Sequence, residues 1–161
     1  MRKIFLYPGA LLALSLAGCE TPGQSGMRAA RLAQRNAIYS EPQGDYFIGR
    51  RYYNPNYKFW GYIRRPGQPW KTAKLVMLDE KDPSGGTEHY APDRLENAIG
   101  SDNNAEYRIY GHFTEGDIYE PASNHMYPGF VATGFTLLNR TPPSIFDPGT
   151  QLPSTVVMQP D

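Results

Sequence analysis

The chain has 161 residues, with 16 Lys+Arg balanced by 16 Asp+Glu, which bounds it to one domain or two at most. Zero net charge excludes a global basic field that holds nucleic acid by counterion release, so no nucleic-acid partner is expected. The 16 Gly, 15 Pro, 12 Tyr and 7 Phe exclude an all-helical fold and favour short strands joined by many turns.

Arg2 and Lys3 form a positive n-region, followed by apolar residues from Ile4 to Tyr7 and from Ala10 to Leu16. The stretch is too short to span a bilayer, which takes roughly 20 apolar residues. Its charge and length profile is that of a secretory signal peptide. The stretch ends in Leu16-Ala17-Gly18-Cys19, with Cys19 the single cysteine of the chain. In these residues the chain resembles a bacterial lipoprotein precursor with its lipobox. The resemblance covers about the first 20 residues and implies cleavage after residue 18 and acylation of Cys19 with palmitate-type chains. The membrane partner is then the bilayer that holds this lipid. Glu20, rather than Asp, follows the cysteine, which implies sorting to the outer membrane, facing the periplasm. The chain from Cys19 onward carries a net charge of about −2, because Arg2 and Lys3 leave with the signal.

Residues 19–26 (CETPGQSG) read as a flexible tether. Residues 27–41 read as a short helix, with Arg28, Arg31 and Arg35 on one face and Glu41-Pro42 as its stop. Beyond it, residues 42–140 read as a small β domain. Aromatic runs from Tyr46 to Tyr53 and from Tyr57 to Arg65 flank the turn Asn54-Pro55-Asn56. Ala73 to Glu80 is a third strand and Pro92 to Ile99 a helical turn or two. Alternation predicts a strand over Ala105 to Thr114 and an apolar run predicts another over Phe130 to Leu138, with a long loop between them. Gly111 and Gly134 inside these strands mark a bulge or a barrel corner. Three strands, a short helix and two strands is the order of a five-stranded Greek-key barrel of the oligonucleotide/oligosaccharide-binding (OB-like) kind. An SH3-like barrel or a sandwich is the alternative. Residues 141–161 read as a Pro-rich extended tail, which Ile145-Phe146 would pin to the barrel.

No constellation for catalysis stands out. His89, His112 and His125 lack the spacing of a helical metal pair, and no further cysteine completes a zinc site, so neither metal nor cofactor is expected. Asp102, Asn103 and Glu106 do not match a calcium loop. The acids Asp79, Glu80 and Asp82, and Glu115, Asp117 and Glu120, gather beside turn residues. They supply the pair that an envelope hydrolase acting on peptidoglycan or glycan would need.

The segment from Tyr46 to Trp70 interleaves aromatics with cations. Arg51, Tyr53, Trp60, Tyr62, Arg64 and Trp70 form the expected binding surface, because alternate side chains of a hairpin point outward. The competing expectation is that these aromatics fill the barrel with arginines stacked over them. The sequence thus points to a lipid-anchored, non-enzymatic envelope protein whose β domain binds a partner protein or cell-wall polymer. An envelope hydrolase and a purely structural anchor are the alternatives.

Overall fold

A computed structural model describes residues 22–52, 60–79, 90–95, 100–147 and 160. Its first element is α1, Pro22–Tyr39. Residues 22–26, read as part of the tether, are thus helical, and residues 19–21 lie outside the described residues. A proline is tolerated at the first helical position, where its missing N–H would be unpaired in any case. The helix stops at Ser40, whose N–H still reaches Asn36 O and whose hydroxyl turns back onto Ala37 O. The chain divides into two compact units, residues 1–33 and 34–161, so the last turn of α1 belongs with the β domain.

The β domain is a closed five-stranded barrel of the expected OB-like kind. Its strands are β1 (Phe47–Arg51), β2 (Gly61–Arg64), β3 (Lys74–Leu78), β4 (Glu106–Glu120) and β5 (His125–Asn139). Their order around the barrel is β1-β2-β3-β5-β4, and β4 returns to β1. All neighbours run antiparallel except β3 and β5, whose parallel seam registers Met77 with Gly129 and Leu78 with Phe130. Between β3 and β4 lies the single-turn helix α2 (Pro92–Leu95).

Strands β4 and β5 are each longer than the sequence pattern predicts. The expected loop between them is instead the far end of one hairpin, closed by residues 121–124. Glu115, Gly116, Asp117 and Pro128 disguise it as a loop. Between Phe113 and Asp117 the register slips, which accommodates the glycine. A second slip falls between Tyr110 and Gly111, where the bulge was expected. Gly111 has φ +150°, and a Cβ there would meet Val131 O at 2.2 Å, so no larger residue fits.

Two apolar clusters result from strand alternation. One draws on all five strands, through Phe47, Ile63, Val76, Ile109 and Phe130, and fills the barrel together with Trp60 and Tyr107. The other lies on the outer face of β1–β3, through Ile48, Tyr62, Leu75 and Met77. It is covered by Trp70, by Ile38 of α1, and by Ile145 and Phe146 of the tail. Phe146 meets Tyr52 and Tyr62 edge-on, with ring centroids 6.0 Å and 5.8 Å apart. Pro142 and Pro143 are held by hydrogen bonds from Asn104 and Arg50 to their carbonyls. The first residues of the tail are thus a strap over the sheet.

Candidate functional site

The residues expected to form an outward binding surface are buried. Trp60, Tyr62 and Trp70 are 2%, 1% and 3% exposed, and Arg51 and Arg64 are as deeply covered. Tyr53 lies outside the described residues, as does Cys19. Nor do the buried residues form one patch. Alternation breaks at Gly61, so Trp60 turns into the barrel while Tyr62 and Arg64 face the outer cluster.

Arg51 sits at one end of the barrel, between two carboxylates. Its Nη2 reaches Asp93 Oδ2 of α2 at 2.5 Å, and its Nη1 donates to Trp60 O. Asp102 Oδ1 lies 3.4 Å from Arg51 Nε, a charge contact without hydrogen-bond geometry. The Tyr107 hydroxyl donates to Asp102 Oδ2 at 3.0 Å. Burial pushes the Asp102 carboxyl above its ordinary value, and Arg51 and Tyr107 oppose the shift only in part. One guanidinium thus ties β1, α2, the 100–104 turn and β4 together.

The outer face repeats the pattern with different partners. Arg64 makes a two-pronged contact with Glu41, both distances 2.6 Å, and the Gly67 N–H adds a third bond to that carboxylate at 2.9 Å. Arg50 pairs with Glu106 at 2.7 Å. The two guanidiniums lie over the Trp70 ring, Arg64 at 4.4 Å and Arg50 at 5.2 Å from its centroid. Burial pulls Arg50 below the usual guanidinium value, Glu106 holds it up, and nearby Arg64 adds to the lowering. Arginines stacked over aromatics therefore serve the outer core.

The acids and histidines at strand ends have similarly local duties. Both Glu120 oxygens accept backbone N–H groups of the hairpin turn, from Ala122 at 3.1 Å and Ser123 at 2.6 Å. His112 and His125 are exposed. Glu80, Asp82 and His89 lie outside the described residues. Among the described residues, no three His, Cys, Asp or Glu side chains gather as a metal site.

Among the described residues a shallow cleft of about 670 Å³ opens between the end of α1 and the turn after β2. Tyr39, Gln43, Asp45, Arg65 and Gln68 line it, with backbone from Gly44 and Gly67. Asp45 pairs with Arg65 at 3.1 Å, and that guanidinium lies 4.0 Å from the Phe47 ring centroid. The charges cancel, which leaves an exposed phenol ring beside two amides and an ion pair. Such a lining offers stacking together with hydrogen-bond donors and acceptors, without selecting for net charge. The sequence concealed it because its parts read as a helix end and an ordinary turn. Only the pairing of Ile48 with Arg64 brings Asp45 alongside Gly67.

No family model, no curated protein and no solved structure matches the chain.

Proposed function

We propose that the protein is a lipid-anchored, non-enzymatic component of the bacterial envelope, held on the outer membrane and facing the periplasm. In this reading its barrel retains a partner protein or a cell-wall polymer. The observation that carries the proposal is Leu16-Ala17-Gly18-Cys19 at the end of a short apolar stretch. The acids also support a binding role over a hydrolytic one, since Glu41, Asp93, Asp102, Glu106 and Glu120 are all engaged in holding the fold. The neutral cleft at Tyr39 and Gln68 is the surface assigned to the partner.

The anchor is tested by Cys19→Ser. This variant is expected to stay unprocessed or soluble and to take up no label from a radioactive fatty acid, whereas the parent chain fractionates with membranes. A serine variant that still incorporates the fatty acid would overturn the anchor.

The cleft is tested with the intact lipoprotein in detergent, by co-sedimentation with purified wall sacculi and by photo-crosslinking from position 43. Tyr39→Ala combined with Gln68→Ala should lower recovery in one of these assays by about tenfold. Both side chains are exposed, so the unfolding free energy should move by less than about 0.5 kcal/mol. Unchanged recovery in both assays would remove the cleft from the proposal.

A further inference from the structure

We infer that Arg108, Tyr110 and Thr136, on the outer face of β4 and β5, form a second docking point, which receives an acidic side chain of a partner protein. The inference rests on the binding reading, extends it to a surface separate from the cleft, and gives the partner a charge.

Four arginines lie in the described strands, and three of them have a carboxylate of their own. Arg50 holds Glu106, Arg51 holds Asp93 and Arg64 holds Glu41. Arg108 makes neither an ion pair nor a hydrogen bond, and its Nε is buried without a partner. Its guanidinium lies 4.8 Å from the Tyr46 ring centroid, and the Tyr46 hydroxyl is itself tied to Pro42 O. A fixed ring therefore holds the cation in place while its charge stays uncompensated. Glu106, two residues earlier on the same face, is already engaged by Arg50 at 2.7 Å. A guanidinium keeps its charge at every physiological pH, so its counter-charge comes from outside the fold.

The surroundings fit a carboxylate. In register, Arg108 stands opposite Thr136 and Tyr110 stands opposite Gly134. Opposed side chains of a sheet are about 5 Å apart at Cβ, and successive ones on one face of a strand about 7 Å. Tyr110 is 41% exposed, and Thr136 is exposed beside it. Gly134 has no positive φ, and a Cβ there would touch only Tyr110 Cδ2, at 3.7 Å. Neither backbone nor packing demands a glycine, which weakens a strand interior. What the absent side chain supplies is room beside Arg108. One uncompensated positive charge matches a singly charged carboxylate, which the planar fork meets with two parallel hydrogen bonds. The face is open rather than enclosed, so the carboxylate arrives on a larger partner whose other contacts hold it. Tyr beside Arg is also the composition of protein-binding hot spots, which assigns the acid to a protein side chain.

The experiment follows the isotope-labelled, intact lipoprotein in detergent by NMR, with the peptide acetyl-Gly-Glu-Gly-amide as probe and its Gln counterpart as control. Saturable shifts are expected at the Arg108 Nε–H and at the Tyr110 and Thr136 amides, with at least about fivefold higher affinity for the Glu peptide. Arg140, exposed and beyond β5, should move far less. Arg108→Gln removes the cation and Gly134→Val fills the space beside it. Each should abolish the response while the spectrum of the barrel stays that of the folded protein. Tyr39→Ala combined with Gln68→Ala should leave the response unchanged, so the fate of the cleft is read separately. Equal shifts with the Glu and Gln peptides, or equal movement at Arg140, would overturn the inference. So would a fall of about tenfold in the recovery of Arg108→Gln with wall sacculi, which hands the site to a carboxylate of the wall polymer.

Discussion

Arg51→Met is expected to destabilise the barrel by about 3–5 kcal/mol at pH 7.5, because it leaves two buried carboxylates without their cation. Asp93 and Asp102 are both 4% exposed, and methionine fills the volume without supplying a charge. The pH dependence identifies the cause. Burial already holds the Asp102 carboxyl above its ordinary value in the parent protein. A carboxyl with a raised folded-state pKa binds protons more tightly in the native chain than in the unfolded one. Its charge therefore weakens the fold above that pKa, and the penalty is relieved as pH falls through it toward the usual carboxylate range. Removing Arg51 takes away a contact that opposes the shift, so this penalty grows. The stability deficit of Arg51→Met relative to the parent should accordingly shrink between pH 7.5 and pH 5. Urea denaturation at the two values measures it. A deficit below about 1 kcal/mol at pH 7.5, or one independent of pH, would mean that the cluster is solvated.

Trp60→Ala should cost about 3–5 kcal/mol, since the ring sits inside the barrel and the neighbouring side chains cannot collapse into its place. Trp60 packs 5.6 Å from Phe135 and 6.0 Å from Tyr107, measured between ring centroids. Gly49 is shaped around it: a Cβ there would meet the Trp60 ring at 2.8 Å and Ile109 Cδ1 at 2.2 Å. The indole N–H is buried without a hydrogen-bond partner. Trp60→Phe, which keeps most of the ring and removes that N–H, should therefore lose far less than the alanine variant. Chemical denaturation of the pair decides the matter. An alanine variant within about 1 kcal/mol of the parent would return Trp60 to the surface, where the hairpin reading first placed it.

That reading shows where local pattern stops being informative. Aromatic and apolar runs bounded by turn residues located β1, β2 and β3, and alternation located the barrel-bound part of β4, with a strong apolar run for β5. The glycine inside the β4 pattern marked the bulge at Gly111. Alternation says that a strand has two faces, but not which segment covers the outer one. Here Trp70 and the strap residues Ile145 and Phe146 cover it, and the last two lie far along the chain from β2. The arginines misled for a related reason. Arg51 finds Asp93, Arg50 finds Glu106 and Arg64 finds Glu41, all partners more than twenty residues away. Without those partners in view, each guanidinium reads as solvent-facing. The cleft was hidden by the same non-local pairing.

The parallel seam has a consequence for the order in which the barrel assembles. The β4–β5 hairpin closes over four residues, and short hairpins of this kind form within about 1–10 μs. Joining β3 to β5 instead closes a loop on the order of 50 residues, whose entropic cost must be met before its contacts form. The seam returns little in backbone bonding, with two registered pairs and the Asp79 N–H bonded to Phe130 O at 3.0 Å. Closure at this seam is thus expected to set the folding rate, with the hairpin assembled beforehand. Burial of Phe130, which packs within 5.4 Å of both Phe47 and Phe113 between ring centroids, is what makes that late step favourable.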